Sequence, residues 1–241
     1  MEKSIHYDFI EIGTADFWTL IEESDDDTVG ISIEPVKYYI DKLPVKKNVI
    51  KVQAALSDKD GFVDVYYIEE HQIRDNHLKY WVKGCNSINN RHPFVVKEIG
   101  QTLYDQIVTI DKVPSITWKT LIENYNIGSI GQLKIDTEGH DHIILNEYLD
   151  ECDKNPNLLA NVIRFEYFIE VSNMAEMDKV VERFQRFERF NVELTETDIV
   201  LTRIHKMGRR GRKMPTHHTT GGSTFNINNN LLWLYTKLQT R

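Results

Sequence analysis

Gly131–Leu149, GQLKIDTEGHDHIILNEYL, is the stretch on which the fold turns. An apolar strand runs straight into Asp136, Glu138, His140 and Asp141, with one glycine, Gly139, before an amphipathic helix begins. Carboxylates crowded at one strand end repel each other, and partial burial raises the cost. Such crowding signals a task for the strand end. Gly139 supplies the conformational freedom for a sharp strand-to-helix turn.

Working outward, the same alternation recurs on both sides. YDFIEIG (7–13) and VGISIE (29–34) read as buried strands, and Phe17, Trp18, Leu20 and Ile21 between them cover one face of a short helix. Val36, Tyr39, Ile40 and Leu43 fall at helical spacing before a third strand, NVIKVQAAL (48–56). This β-α-β-α-β order predicts parallel strands joined by right-handed crossovers. GFVDVYYIE (61–69) alternates as a strand, after which the pattern dissolves from about 69 to 106, a length typical of functional lids and binding insertions. QIVTID resumes strand character, Trp118, Leu121, Ile122 and Tyr125 mark a helix, NVIRFEY a strand, and Met174, Met177, Val181, Phe184 and Phe187 another helix. FNVEL (190–194) and NLLWLYTK (230–237) read as the last two strands, separated by a basic insertion at about 203–230. The expectation is one domain spanning residues 1–241, an α/β fold with helices on both faces of the sheet.

Three predicted strands end in an acid: Glu11 in FIEIGTAD, Glu34 in ISIEP and Asp136 in LKIDTEG. In open α/β sheets ligands sit outside the carboxyl ends of the strands. Gly13 allows a tight turn that brings backbone N–H groups toward a ligand. Glu34, 21 positions later, stands where an acid accepts hydrogen bonds from a ribose diol. The pair points to a cofactor containing a nucleoside.

The ordered stretches IEIGTADFW, SIEP, AALSDKDG, VTIDKV, LKIDTEGHD and IRFEY together resemble the FkbM-type family of S-adenosylmethionine-dependent methyltransferases. The likeness spans roughly Phe9 to Tyr167, and LKIDTEGHD is its most specific piece. It implies a Rossmann-like class I methyltransferase fold, a seven-stranded, mostly parallel sheet with an antiparallel last strand. It further implies that Glu11 and Gly13, Thr14, Ala15 and Asp16 cradle the methionine part of the cofactor. Glu34, followed by Pro35, would hold the ribose, and Ala55, Leu56, Ser57 and Asp58 would lie near the adenine. Asp136 and Glu138 would line the methyl-transfer end. The chain departs from the family's first motif at Ala15 and Phe17, where asparagine or glycine and then glycine are usual. That departure motivates a second reading, a degenerate, non-catalytic binding module of the same fold.

Methyl transfer from a sulfonium is an in-line displacement in which a protein chiefly aligns the acceptor and excludes water. The resemblance implies a hydroxyl acceptor on a sugar, glycan or small metabolite; a positioned base would help to ionise it, and His140 is a candidate if the nearby carboxylates raise its pKa. Tyr80, Trp81, Arg91 and His92 in the 69–106 segment are candidate acceptor contacts. Asp136, Glu138, His140, Asp141 and His142 contain metal-ligating types, but no diagnostic spacing appears and no metal is expected.

All 37 acidic residues precede position 199 and eight of the 29 basic ones follow it, so the net charge of −8 divides into −16 and +8. RIHKMGRRGRK (203–213) reads as a solvated loop; a third reading keeps methyl transfer but makes RNA or DNA the acceptor, with this run holding its phosphates. It lacks the interleaved aromatics of a base-stacking surface. Two cysteines, Cys85 and Cys152, suit free thiols better than a disulfide framework. The start, MEKSIHYDFIEIG, lacks the regions of a signal peptide, and no apolar run of about 18 residues occurs, so a soluble cytoplasmic protein is expected.

Overall fold

The strand–helix alternation builds two sheets. The structure, a computed structural model, describes residues 3–15, 18–88, 90–167, 173–195 and 197–204. In chain order the elements are β1 (Ile5–Ile12), α1 (Leu20–Glu23), β2 (Gly30–Ile33), α2 (Lys37–Lys42), β3 (Val49–Val52), β4 (Ala55–Leu56) and β5 (Gly61–Ile68). Then come α3 (Glu70–Asp75), a 3-10 turn (Tyr80–Gly84), β6 (Ser87–Ile88), α4 (Pro93–Ile99), α5 (Gln101–Ile107), β7 (Val108–Ile116), α6 (Trp118–Tyr125) and β8 (Ile127–Ile135). The described residues end with α7 (Asp141–Lys154), β9 (Val162–Glu166), α8 (Met174–Phe187), β10 (Phe190–Leu194) and β11 (Asp198–Arg203).

The larger sheet has seven strands in the order β10-β11-β9-β8-β1-β2-β3. Neighbours from β9 to β3 pair in parallel, and β11 runs antiparallel to both β9 and β10. Its last described strand is therefore DIVLTR, because Tyr167 N–H bonds to Thr197 and the chain returns directly beside β9. The segment NLLWLYTK, expected as that strand, lies outside the described residues. So does most of the basic run. Its first member, Arg203, is committed to the sheet edge, paired with Glu188 at 2.6 Å and donating to the Leu159 carbonyl.

Period-two alternation sends neighbouring β1 side chains to opposite faces. Ile10 and Ile12 join Trp118, Ile144, Tyr148 and Phe184 in the main core, under α6, α7 and α8. Phe9 joins Leu20, Ile21, Ile40 and Leu43 under α1 and α2. Each fully buried apolar side chain contributes roughly 1.5–3 kcal/mol relative to exposure. Tyr148 additionally donates to the Leu158 carbonyl and accepts from Ala160 N–H, which fastens α7 to the approach to β9.

Register then determines what meets at the sheet's carboxyl edge. Ile12 pairs with Ile33 and with Ile135, and Ile135 pairs with Phe165. The residues that follow these four, Gly13, Glu34, Asp136 and Glu166, therefore emerge side by side.

The smaller sheet, β4-β7-β5-β6, carries α3, the 3-10 turn, α4 and α5. The patternless stretch 69–106 is thus mostly helical. Its helices are six or seven residues long, too short to display a full amphipathic repeat. They close over their own small core of Ile68, Ile73, Val82, Val95, Tyr104 and Ile107. The assembly stands over the edge where the four strand ends emerge. Among the described residues no helix is long and apolar enough to cross a membrane.

Candidate active site

Gly13 begins the turn out of β1 at φ +76°, a conformation that disfavours any side chain. It lies so close to β8 that a Cβ here would stand 1.9 Å from the Asp136 carbonyl oxygen. Glu34 fixes the turn. One of its carboxylate oxygens accepts from Thr14 N–H at 2.9 Å and Ala15 N–H at 3.0 Å, and the other from Val36 N–H at 2.9 Å. Burial pushes the Glu34 carboxyl above the ordinary range, against the pull of these backbone donors. Ala15 has φ +40°, a position where glycine or asparagine would relax the backbone. Asp16 and Phe17 lie outside the described residues.

Beside this turn runs a narrow cleft of about 40 Å³ walled by Ile12, Gly13, Ala15, Ile33, Glu34, Pro35, Ala54, Ala55, Leu56, Gly84, Asn86, Ile88, Asp136 and Thr137. Its walls are mainly apolar. The exceptions include Asn86, whose side-chain N and O are both shielded from solvent and, among the described residues, have no hydrogen-bond partner. An unpaired buried amide costs on the order of 1–3 kcal/mol, a cost that a ligand offering it both an acceptor and a donor would recover.

Through Gly13, Ala15, Gly84 and Asp136 the cleft opens into a cavity of about 460 Å³. Thr14, Trp18, Trp81, Cys85, His92, Phe94, Lys134, Glu138, Arg164, Glu166, Thr197 and Asp198 also line it. Trp81 and Phe94 stack at 4.9 Å and give it one aromatic wall. Asp136, Glu138 and Glu166 form the acidic one, each offering an oxygen within 4.8 Å of the others. Glu138 adopts φ +55° and Gly139 φ +100°, so the turn after β8 carries a non-glycine residue in left-handed geometry at the cavity. The buried His92 holds Glu138 at 2.8 Å.

Asp136 is open to the cavity, yet the protein mass around it withdraws bulk solvent. This desolvation, followed by the charge of Glu138, raises its pKa above the ordinary aspartate range. Burial, then Glu138, Asp141 and Asp136, does the same to Glu166. Asp141 has a structural task instead. One oxygen accepts from Thr137 N–H at 2.8 Å and the other from Glu166 N–H at 3.0 Å, which ties the β8–α7 turn to β9.

Several predicted residues stand elsewhere. Glu11 is fully buried beneath α1, ion-paired with Lys134 at 3.0 Å and accepting from Leu20 N–H, and lines neither space. Ser57 and Asp58 are also outside both. His140 turns away from the acids to Ser57, 3.1 Å from its hydroxyl. Burial, aided by His142, lowers its pKa to about 4, the reverse of the rise expected from the neighbouring carboxylates. Tyr80 is exposed, and Arg91 pairs with Asp105 at 2.8 Å on the surface, while Trp81 and His92 do reach the cavity. Glu166 and Asn86 were missed. Glu166 closes a strand exactly as Glu34 and Asp136 do, so the same strand-end signal in IRFEY could have found it; Asn86 had no comparable signal.

The His140 shift carries a pH consequence. Its folded pKa is depressed, so its contribution to stability is complete above the unfolded value near 6.5 and is lost as pH falls toward about 4. Its partial exposure discounts the effect to roughly 1–2 kcal/mol. Urea unfolding at pH 7 and pH 4.5 should show a smaller acid-induced loss in His140→Gln than in the parent. An equal loss in both would refute the assignment.

The family described as Methyltransferase FkbM domain has a model that matches residues 9–209. No curated protein and no solved structure gives a significant match.

Proposed function

Because the chain belongs to the FkbM methyltransferase family, we propose that it transfers a methyl group from S-adenosylmethionine to a hydroxyl of a sugar, glycan or small metabolite. The observation that carries this reading is the convergence of Gly13, Glu34 and Asp136 on a cleft containing the unpaired Asn86 amide, continuous with an acidic cavity.

The cleft residues fit the adenosyl group on their own chemistry. Asn86 has a donor and an acceptor to offer an adenine edge, and Ala55, Leu56 and Ile88 offer apolar contact to its faces. Counting lone pairs at Glu34, one oxygen already takes two N–H groups while the other takes one, which leaves room for a single ribose hydroxyl. When bound, S-adenosylmethionine supplies an electrophilic methyl carbon. The protein's own contribution is to orient the acceptor, exclude water and receive the hydroxyl proton. The larger cavity suits an acceptor with an apolar face for Trp81 and Phe94 and hydroxyls for the carboxylates. Asp136, which lines both the cleft and the cavity, is placed to offer a carboxylate oxygen to the proton.

Incubation with S-adenosylmethionine and a panel of sugars and polyols should release S-adenosylhomocysteine, measured by mass spectrometry. Asp136→Asn should slow release by roughly 10²-fold or more. Release at the parent rate would remove Asp136 from the chemistry.

A further inference from the structure

We propose that Asp136, Glu138 and Glu166 bind a hard divalent cation, Mg²⁺ or Mn²⁺, in the larger cavity. Three carboxylates converge there with oxygens within 4.8 Å of one another. Oxygens on opposite sides of an ion with bonds of about 2.0–2.4 Å lie roughly 4–5 Å apart, so the cluster is of the right size to share one. Proximity alone would be weak grounds. The independent observation is Glu166, only 8% exposed, which lines the cavity and has one carboxylate oxygen that is shielded from solvent and, among the described residues, has no hydrogen-bond partner. The basic side chains of the cavity wall are engaged elsewhere: Lys134 with Glu11 at 3.0 Å, and Arg164 with Asp198 at 2.7 Å.

The neighbouring residues also select the kind of ion. Cys85, His92 and Glu138 form a second, softer ligand set. His92, however, accepts from Val95 N–H through Nδ1, so its proton sits on Nε2 and is donated to Glu138. Both ring nitrogens are thus occupied, and His92 acts as a positioning residue that orients Glu138. The Cys85 thiol is turned to the Trp81 carbonyl, to which it donates at 3.7 Å. What remains is an all-oxygen set, which suits Mg²⁺ or Mn²⁺ over a thiophilic metal. Three carboxylates leave positions for water or for two adjacent oxygens of an acceptor, such as a vicinal diol. That last role rests on the methyltransferase reading, whereas cation binding does not.

The test is titration of chelator-treated protein with MnCl₂, followed by the loss of the free-ion electron paramagnetic resonance signal, with MgCl₂ as competitor. One ion should bind per chain, Mg²⁺ should displace it, and Glu166→Gln and Asp136→Asn should each weaken binding at least tenfold. Absence of binding at millimolar Mn²⁺, or unchanged affinity in both variants, would overturn the proposal. Thermal unfolding guards against a folding defect. Without metal, Glu166→Gln should melt at or above the parent temperature because repulsion is relieved, and Mn²⁺ should raise only the parent's. A rise of equal size in both would also overturn it. Calorimetry with S-adenosylhomocysteine on the same ion-free protein separates the two readings: nucleoside binding without Mn²⁺ binding sinks only the cation site, and the reverse sinks only the cofactor reading.

Discussion

Gly13→Ala should lower the melting temperature by roughly 8–16 °C, corresponding to about 4 kcal/mol in a domain of this size. Two costs add. At φ +76° an alanine pays on the order of 1–2 kcal/mol in backbone strain. Its Cβ would also meet the Asp136 carbonyl at 1.9 Å, a contact with backbone that no rotamer change relieves. The β1 and β8 ends must separate, and they bound both the cleft and the acidic cavity. S-adenosylhomocysteine affinity should therefore fall along with stability, read by differential scanning calorimetry and by titration. A variant that melts within 2–3 °C of the parent, below about 1 kcal/mol, would show that the two strand ends are not so close.

Glu34→Ala should cost roughly 3 kcal/mol, because three buried backbone N–H groups, of Thr14, Ala15 and Val36, lose their acceptor and only part of that loss is made good by water. Glu34→Gln separates the structural from the ligand-binding share of this effect. Its amide oxygen can still face Thr14 and Ala15, while its NH₂ group faces Val36 N–H, so about half of the stability should return. The position proposed to accept a ribose hydroxyl would become a donor. S-adenosylhomocysteine affinity should remain at least tenfold below the parent in both variants. Full affinity in Glu34→Gln would exclude the carboxylate from ribose recognition.

Much of this arrangement is legible in the chain because it depends on short-period patterns. Apolar runs ending in an acid locate the ends of β1, β2 and β8, and helical spacing locates α2, α6 and α8. Strand order is not local information. That Glu166 joins Asp136 follows from β9 pairing beside β8 with Ile135 opposite Phe165, which no single segment encodes. Glu11 shows a different limit. Its alternation with Ile10 and Ile12 already assigned it to the opposite face, where Lys134 and the start of α1 take up its charge. His140 was drawn toward the carboxylates by sequence proximity alone. The left-handed turn at Glu138 and Gly139 swings the chain round, and burial then dominates its pKa. Cys85, Asn86 and His92 come from a region of very short elements whose packing, not whose periodicity, brings Asn86 to the cleft and the other two to the cavity.

The central claim is that separate strand ends of one sheet enclose an adenosyl ligand. Isothermal titration of S-adenosylhomocysteine into the unaltered protein addresses it most directly. A one-to-one isotherm is predicted, accompanied by roughly 2.7 kcal/mol of added stability when the ligand stands at a hundred times its dissociation constant. No heat and no change in unfolding at millimolar ligand would contradict the account and leave a fold without its cofactor.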